Sequence, residues 1–101
     1  MKTYYKIIHY NKKRYTYTSI NNNLKYSFNK WTTPRKGYWQ CLFIFKTFED
    51  AVRFIDVHRY NKRFYGIFEC KTRNVFGPPR VYVWPQGTLC TNKVKLVCGP
   101  I

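Results

Sequence analysis

Acidic side chains are scarce in this sequence. Only four Asp and Glu residues stand against nineteen Lys and Arg in 101 residues. A magnesium nuclease needs clustered carboxylates, and Glu69 is the only acid that lies outside the stretch from Glu49 to Asp56. This scarcity argues against metal-dependent catalysis, and we expect no enzyme activity, catalytic residue, metal site or cofactor.

Long apolar runs and nucleotide-binding loops are also missing. The longest uninterrupted apolar run, Cys41–Phe45, is far shorter than the ~20 residues that a membrane-spanning helix needs. The residues after Met1 are polar or basic and do not resemble a secretory signal. The five glycines are scattered and form no phosphate-cradling motif. These features predict an intracellular protein, neither secreted nor membrane-bound.

The four cysteines are Cys41, Cys70, Cys90 and Cys98. They contain no Cys-x-x-Cys pair, and neither histidine flanks them at zinc-finger spacing. Two disulfides in three pairings are conceivable in an oxidising compartment, but inside a cell we expect free thiols. Cys41 and Cys70 are interpreted as small buried residues, whereas Cys98 is expected to be the most exposed.

Aromatic and β-branched residues dominate most segments and predict strands. The segments 4–10 and 14–19 form a predicted hairpin, followed by a short strand over 25–28 and an exposed loop over 31–39. The apolar run 41–45 is interpreted as a central strand, with the strand over 64–70 beside it. A short strand over 81–84 and an edge strand over 94–98 complete the prediction.

One helix is predicted from about Phe48 to about Arg59. Thr47 is a suitable N-cap, Glu49 and Asp50 suit the positive end of the helix dipole, and apolar residues recur at helical spacing. Strands, one helix and further strands in one chain of this length predict a single α+β domain, residues 1–101, with a largely antiparallel sheet.

What the sequence does contain is positive charge and aromatic rings. The formal charge is +15, and 21% of the residues are Phe, Trp or Tyr. Polyanions neutralise such a charge and release counterions, and rings near Lys and Arg can stack on bases. The candidate nucleic-acid-binding residues lie at turns and element ends: Lys12, Lys13, Arg14, Tyr15, Tyr17, Trp31, Arg35, Lys36, Tyr38, Arg59, Lys62, Arg63, Lys71, Arg73 and Arg80.

The favoured function is therefore non-enzymatic nucleic-acid binding, with DNA favoured over RNA and weak sequence specificity. Homodimerisation is expected, because pairing would bury surplus aromatics and double the phosphate contacts. One alternative is an interaction protein that binds an acidic host protein. A second is a small metal-free ribonuclease in which Glu69 acts with His58 or His9.

The Lys-, Asn- and Tyr-rich composition resembles that of small basic accessory proteins of large DNA viruses and phages. The resemblance covers composition only and involves no motif. It implies a genome-associated role in a viral factory, the host cytoplasm or the nucleus.

Overall fold

The computed structural model describes residues 2–11, 16–19, 24–34, 42–78, 85 and 87–101, with the backbone alone for 11 and 16–19. The described residues contain nine strands and one helix. In chain order these are β1 (Thr3–Asn11), β2 (Thr16–Ser19), β3 (Lys25–Tyr26), β4 (Trp31–Thr32), β5 (Leu42–Phe45), α1 (Phe48–His58), β6 (Tyr65–Thr72), β7 (Val75–Gly77), β8 (Thr88–Thr91) and β9 (Val94–Cys98).

The strands form one curled antiparallel sheet, which confirms the predicted α+β class. Seven strands follow the order β4-β9-β6-β1-β5-β8-β7. Outside this order, β2 pairs with β1, and β3 pairs with β2. Two predicted positions in this order are wrong. β6 lies between β1 and β9, not beside β5, and β9 is not an edge strand because β4 pairs with its outer side.

Several local predictions are confirmed and others are corrected. The hairpin exists as β1 paired with β2, and β5 is central and buried at all four positions. Trp31 and Thr32 were expected in a loop but form β4, because they hydrogen-bond to β9. β7 and β8 were not predicted, since each is short and lies between turn residues. The strand predicted over 81–84 lies outside the described residues.

Helix α1 begins and ends as the sequence predicts. The side chain of Thr47 accepts a hydrogen bond from the backbone N–H of Asp50 at 3.1 Å. Arg59 closes the helix in the left-handed conformation, with φ of 54°, and its N–H bonds to the carbonyl of Asp56. This cap lets the chain reverse direction toward β6.

Alternation along the strands produces a core on each face of the sheet. Ile7, Phe43 and Ile67 pack under Phe54 and Ile55 of α1, on the face that we call the helix-side face. On the opposite face, Ile8, Phe68, Cys70 and Leu96 are among the residues that pack inside the curl of the sheet, beside Leu24 and Tyr26. The helix-side face is only partly covered by α1, and this uncovered part positions the site described below.

The cysteines differ from expectation at one position. Cys90 is disulfide-bonded, whereas free thiols were expected throughout. Cys70 is free and buried and Cys98 is free and exposed, both as predicted. Cys41 lies outside the described residues. Within the described part of the chain, α1 is the helix present, and it does not meet the length and apolarity required to cross a membrane.

Candidate functional site

A row of side chains crosses four neighbouring strands on the helix-side face. In the register of the sheet, Trp31 of β4 lies opposite Lys95 of β9, which lies opposite Lys71 of β6, which lies opposite Thr3 of β1. Register partners project from the same face of a sheet. Lys71 Nζ donates a hydrogen bond to Thr3 Oγ1 at 3.2 Å, which confirms that the two side chains meet.

The indole ring of Trp31 is half-buried and three cations gather around it. The guanidinium carbon of Arg73 lies 4.8 Å from the ring centroid, Lys95 Nζ lies 5.1 Å away and Lys93 Nζ lies 5.7 Å away. The negative face of an aromatic ring attracts cations at these distances. We call the surface formed by Trp31, Lys71, Arg73, Lys93 and Lys95 the Trp31 surface.

Two turns bring the cations at the end of the row together. Arg73 lies in the turn between β6 and β7, and Lys93 lies in the turn between β8 and β9. Asn74 Nδ2 donates to Asn92 Oδ1 at 3.3 Å, and the hydroxyl of Thr91 donates to the carbonyl of Asn74. These bonds join the segments that carry Arg73 and Lys93.

Two of the four acidic side chains pair with cations at α1, away from the Trp31 surface. Asp50 pairs with Arg53 at 2.9 Å and Asp56 lies 3.9 Å from Lys62, both at α1. Among the described residues, none of the carboxylates forms an ion pair with Arg73, Lys93 or Lys95. Three cations held around one ring repel each other, so an anion bound there would be stabilised by all of them.

Glu69 is the acid closest in sequence to this surface, two residues before Lys71 on the same face. The exposed thiol of Cys98 donates a hydrogen bond to Glu69 Oε2 at 3.2 Å. This hydrogen bond, followed by desolvation and the negative charge of Glu69, raises the pKa of the Cys98 thiol. Glu69 therefore borders the Trp31 surface beside Cys98, at a bulge in the pairing of β6 with β9.

Three other predicted residues, Arg59, Lys62 and Arg63, lie between the end of α1 and the start of β6. Strand β6 carries Tyr65 near its beginning and Lys71 near its end, which are about 20 Å apart at ~3.3 Å per residue. The structure thus brings Trp31, Lys71 and Arg73 together, but it places Arg59, Lys62 and Arg63 at the opposite end of the strand.

Aromatic rings accompany this second basic group. His58 stacks on Tyr60 with 5.5 Å between ring centroids, and Tyr60 stacks on Tyr65 at 4.6 Å. The guanidinium of Arg63 lies 5.9 Å from the ring of Phe64. At this end, however, Lys62 lies near Asp56, and the aromatic rings stack on one another. This end of β6 therefore offers less unneutralised charge than the Trp31 surface.

The remaining predicted residues cannot be placed on either surface. Tyr17 is part of β2, where its backbone pairs with Tyr10 and Tyr26. The others lie outside the described residues: Lys12, Lys13, Arg14, Tyr15, Arg35, Lys36, Tyr38 and Arg80.

Of the two pairs named in the ribonuclease alternative, Glu69 and His9 lie far apart along the sheet. His9 lies opposite Tyr65 in the register, and Glu69 is four residues further along β6, about 13 Å away. General acid–base partners act together within hydrogen-bond reach of one reacting group. Glu69 and His9 are therefore beyond hydrogen-bond reach of each other in this structure. His58 stacks on Tyr60 at the end of α1, and its pairing with Glu69 stays a prediction.

Lys93 and Lys95 belong to the Trp31 surface but were not among the predicted site residues. From the sequence alone they suit another role, because lysines at an edge strand discourage pairing with a further strand. The signal that could have identified them is the alternation Lys93-Val94-Lys95-Leu96, which places both lysines on one face and both apolar residues on the other. Their meeting with Trp31 depends on strand pairing between distant segments, which this alternation does not encode.

No family model, curated protein or solved structure matches the chain.

Proposed function

We propose that this protein is a non-enzymatic nucleic-acid-binding protein and that the Trp31 surface is its binding site. The observation that supports the proposal is the convergence of Arg73, Lys93 and Lys95 on one ring, beside Lys71. Among the described residues, no carboxylate forms an ion pair with these three converging cations. DNA is the proposed polymer. Homodimerisation and a viral origin stay predictions.

Phosphate contacts would supply most of the affinity and little sequence preference. Lysine and arginine side chains on a sheet face neutralise backbone phosphates, which carry no sequence information. If the four cations each neutralise one phosphate, the affinity falls roughly 100-fold between 50 and 200 mM salt.

The test compares two triple variants that remove equal charge. The first, Arg73→Gln with Lys93→Gln and Lys95→Gln, removes cations of the Trp31 surface. The second, Arg59→Gln with Lys62→Gln and Arg63→Gln, removes the cations at the opposite end of β6. Binding to a fluorescent DNA oligomer is measured by anisotropy at several salt concentrations.

We expect the first variant to lower the slope of log K against log salt by about 2 to 3, since each lost phosphate contact removes about 0.7 to 0.9. The second variant should change the slope by less than about 1. Equal effects of the two variants would show that the charge acts diffusely. If the affinity of the native chain for DNA did not change with salt, and the chain captured an acidic protein in place of DNA, the interaction-protein alternative would be favoured.

A further inference from the structure

Helix α1 is poorly suited to enter a groove of duplex DNA. It carries Glu49, Asp50 and Asp56, three of the chain's four carboxylates. These side chains would meet the phosphates that line a groove and be repelled by them. Recognition by a helix in the major groove needs the opposite sign of charge. Within the described residues, the surface that attracts phosphates is therefore a sheet face.

The ring at the centre of that face also bears on the form of the nucleic acid. Trp31 lies on β4, at one end of the seven-strand path, and its indole is partly exposed. In a duplex both faces of each base are covered by neighbouring bases, so a tryptophan on a sheet face can stack only on a base that is unpaired. Stacking of this kind is the usual basis of single-strand binding.

The cations around the ring are placed to bind the phosphates of such a stacked nucleotide. Arg73, Lys93 and Lys95 lie 4.8 to 5.7 Å from the ring centroid and approach it from two turns and from β9. A base that stacked on the ring would displace one of these cations, which could then contact the adjacent phosphate. This exchange replaces a cation–π contact by a stronger charge–charge contact.

The row continues away from the ring. Lys95 and Lys71 follow Trp31 at successive strands, which are spaced about 4.8 Å apart, so the row extends about 10 Å across the sheet. We propose that a single-stranded segment crosses β4, β9 and β6, with one base stacked on Trp31 and its backbone on Lys95 and Lys71. This inference rests on the proposed function and specifies the form of the nucleic acid.

The experiment measures the affinity for an oligo(dT) strand and for a duplex of equal length at one salt concentration. We expect the native chain to bind the single strand more tightly. Trp31→Ala should weaken single-strand binding roughly 5- to 150-fold, which is the usual effect of losing one base–aromatic stack, and should change duplex binding by less than about 3-fold.

Two further variants separate stacking from support of the fold. Trp31→Phe retains a ring and should restore most of the single-strand affinity. Stacking of oligo(dT) on Trp31 should quench the fluorescence emission of that tryptophan. In the Trp31→Phe variant this contribution to the quenching should disappear although binding persists. Phe76→Ala is the matched control, because Phe76 is an exposed aromatic on β7, at the other end of the seven-strand path.

The outcomes distinguish this inference from the proposed function. Equal weakening of single-strand and duplex binding by Trp31→Ala, or tighter binding of the duplex by the native chain, would overturn the single-strand inference and leave nucleic-acid binding intact. Failure of the native chain to bind either form at 50 mM salt would overturn both. A Trp31→Phe variant that binds no better than Trp31→Ala would show that ring stacking is not the interaction lost.

Discussion

At the scale of single residues, Lys6 is the most unusual side chain. It is fully buried on the face of the sheet opposite the helix-side face. There its Nζ donates a hydrogen bond to the carbonyl of Phe43 at 2.7 Å and lies 5.4 Å from the ring centroid of Tyr26. Burial lowers its pKa from 10.5 to about 8. Burial also raises the pKa of the neighbouring Cys70 thiol from 9.0 to about 12. One carbonyl and one ring replace the water that an ammonium group normally binds.

This burial predicts a specific pH dependence of stability. Below pH 8 Lys6 is protonated in both states, so the folded state bears the full cost of the buried charge, about 3 kcal/mol for the shift in pKa. Above pH 8 Lys6 loses its proton in the folded state, while in the unfolded chain it keeps the proton up to about pH 10.5. The free energy of unfolding therefore rises with pH, and Lys6 contributes about 1 kcal/mol of that rise between pH 8 and 9.

The measurement compares urea unfolding of the native chain and Lys6→Met from pH 7 to 9. Cys70 opposes the rise above pH 9, since the unfolded thiol ionises first, but it does so in both proteins. The stability of Lys6→Met relative to the native chain should thus decrease by about 1 kcal/mol from pH 8 to 9. Parallel profiles for the two proteins would mean that the ammonium group of Lys6 is hydrated.

At the scale of elements, the sequence predicts structure well where the signal is local. The Thr47 cap, the first-turn acids and the apolar spacing identify α1 because all of them lie within one short segment. The hairpin of β1 and β2 is similarly local. By contrast, β6 pairs with β1 and β9 through segments up to 68 residues apart, as between Lys71 and Thr3. No local pattern encodes such pairing, and the sheet order was accordingly mistaken.

The candidate site was also predictable only where the signal in the sequence is local. Charge and aromatic content identified Trp31, Lys71 and Arg73 individually as candidates, and the structure brings these three together. The sequence does not reveal that Trp31 is a strand residue, because Pro34 and the following basic residues favour a loop. Without β4 beside β9, Lys95 has no evident relation to Trp31, and the basic residues at the two ends of β6 look equivalent.

The cap of α1 gives a prediction at this scale. Thr47→Ala removes the hydroxyl that accepts the N–H of Asp50, and loss of such a cap costs about 1 kcal/mol of stability. For a domain of this size the expected fall in Tm is about 4–8 °C, measured by circular dichroism. Thr47→Ser keeps the accepting oxygen and is the matched control. An unchanged Tm in Thr47→Ala would show that water or another residue satisfies this N–H equally well.

At the scale of the whole molecule, the acidic side chains are concentrated on α1. Three of the four carboxylates lie on α1, and the fourth borders the Trp31 surface, where it accepts the hydrogen bond from Cys98. With nineteen Lys and Arg residues against four Asp and Glu, the net charge is +15. Such a charge favours association with polyanions and at the same time destabilises the compact state by self-repulsion.

The same charge predicts opposite effects of salt on stability and on binding. Without nucleic acid, raising sodium chloride from about 50 to about 500 mM shortens the Debye length from roughly 14 Å to about 4 Å and screens the repulsion. Each 1 kcal/mol of repulsion relieved raises Tm by about 4–8 °C, whereas affinity for DNA falls over the same range. Chloride is used because sulfate would stabilise the fold by exclusion from its surface.

The triple Gln variant of Arg73, Lys93 and Lys95 connects the two effects. Since these cations crowd one ring within 6 Å of its centroid, removing them relieves repulsion that salt would otherwise screen. We expect a smaller rise of Tm with salt in this variant than in the variant of Arg59, Lys62 and Arg63, measured by thermal melts at matched salt concentrations. A Tm that is flat or falls with salt in the native chain would show that the cations do not strain the fold, and that their convergence costs the unbound protein nothing.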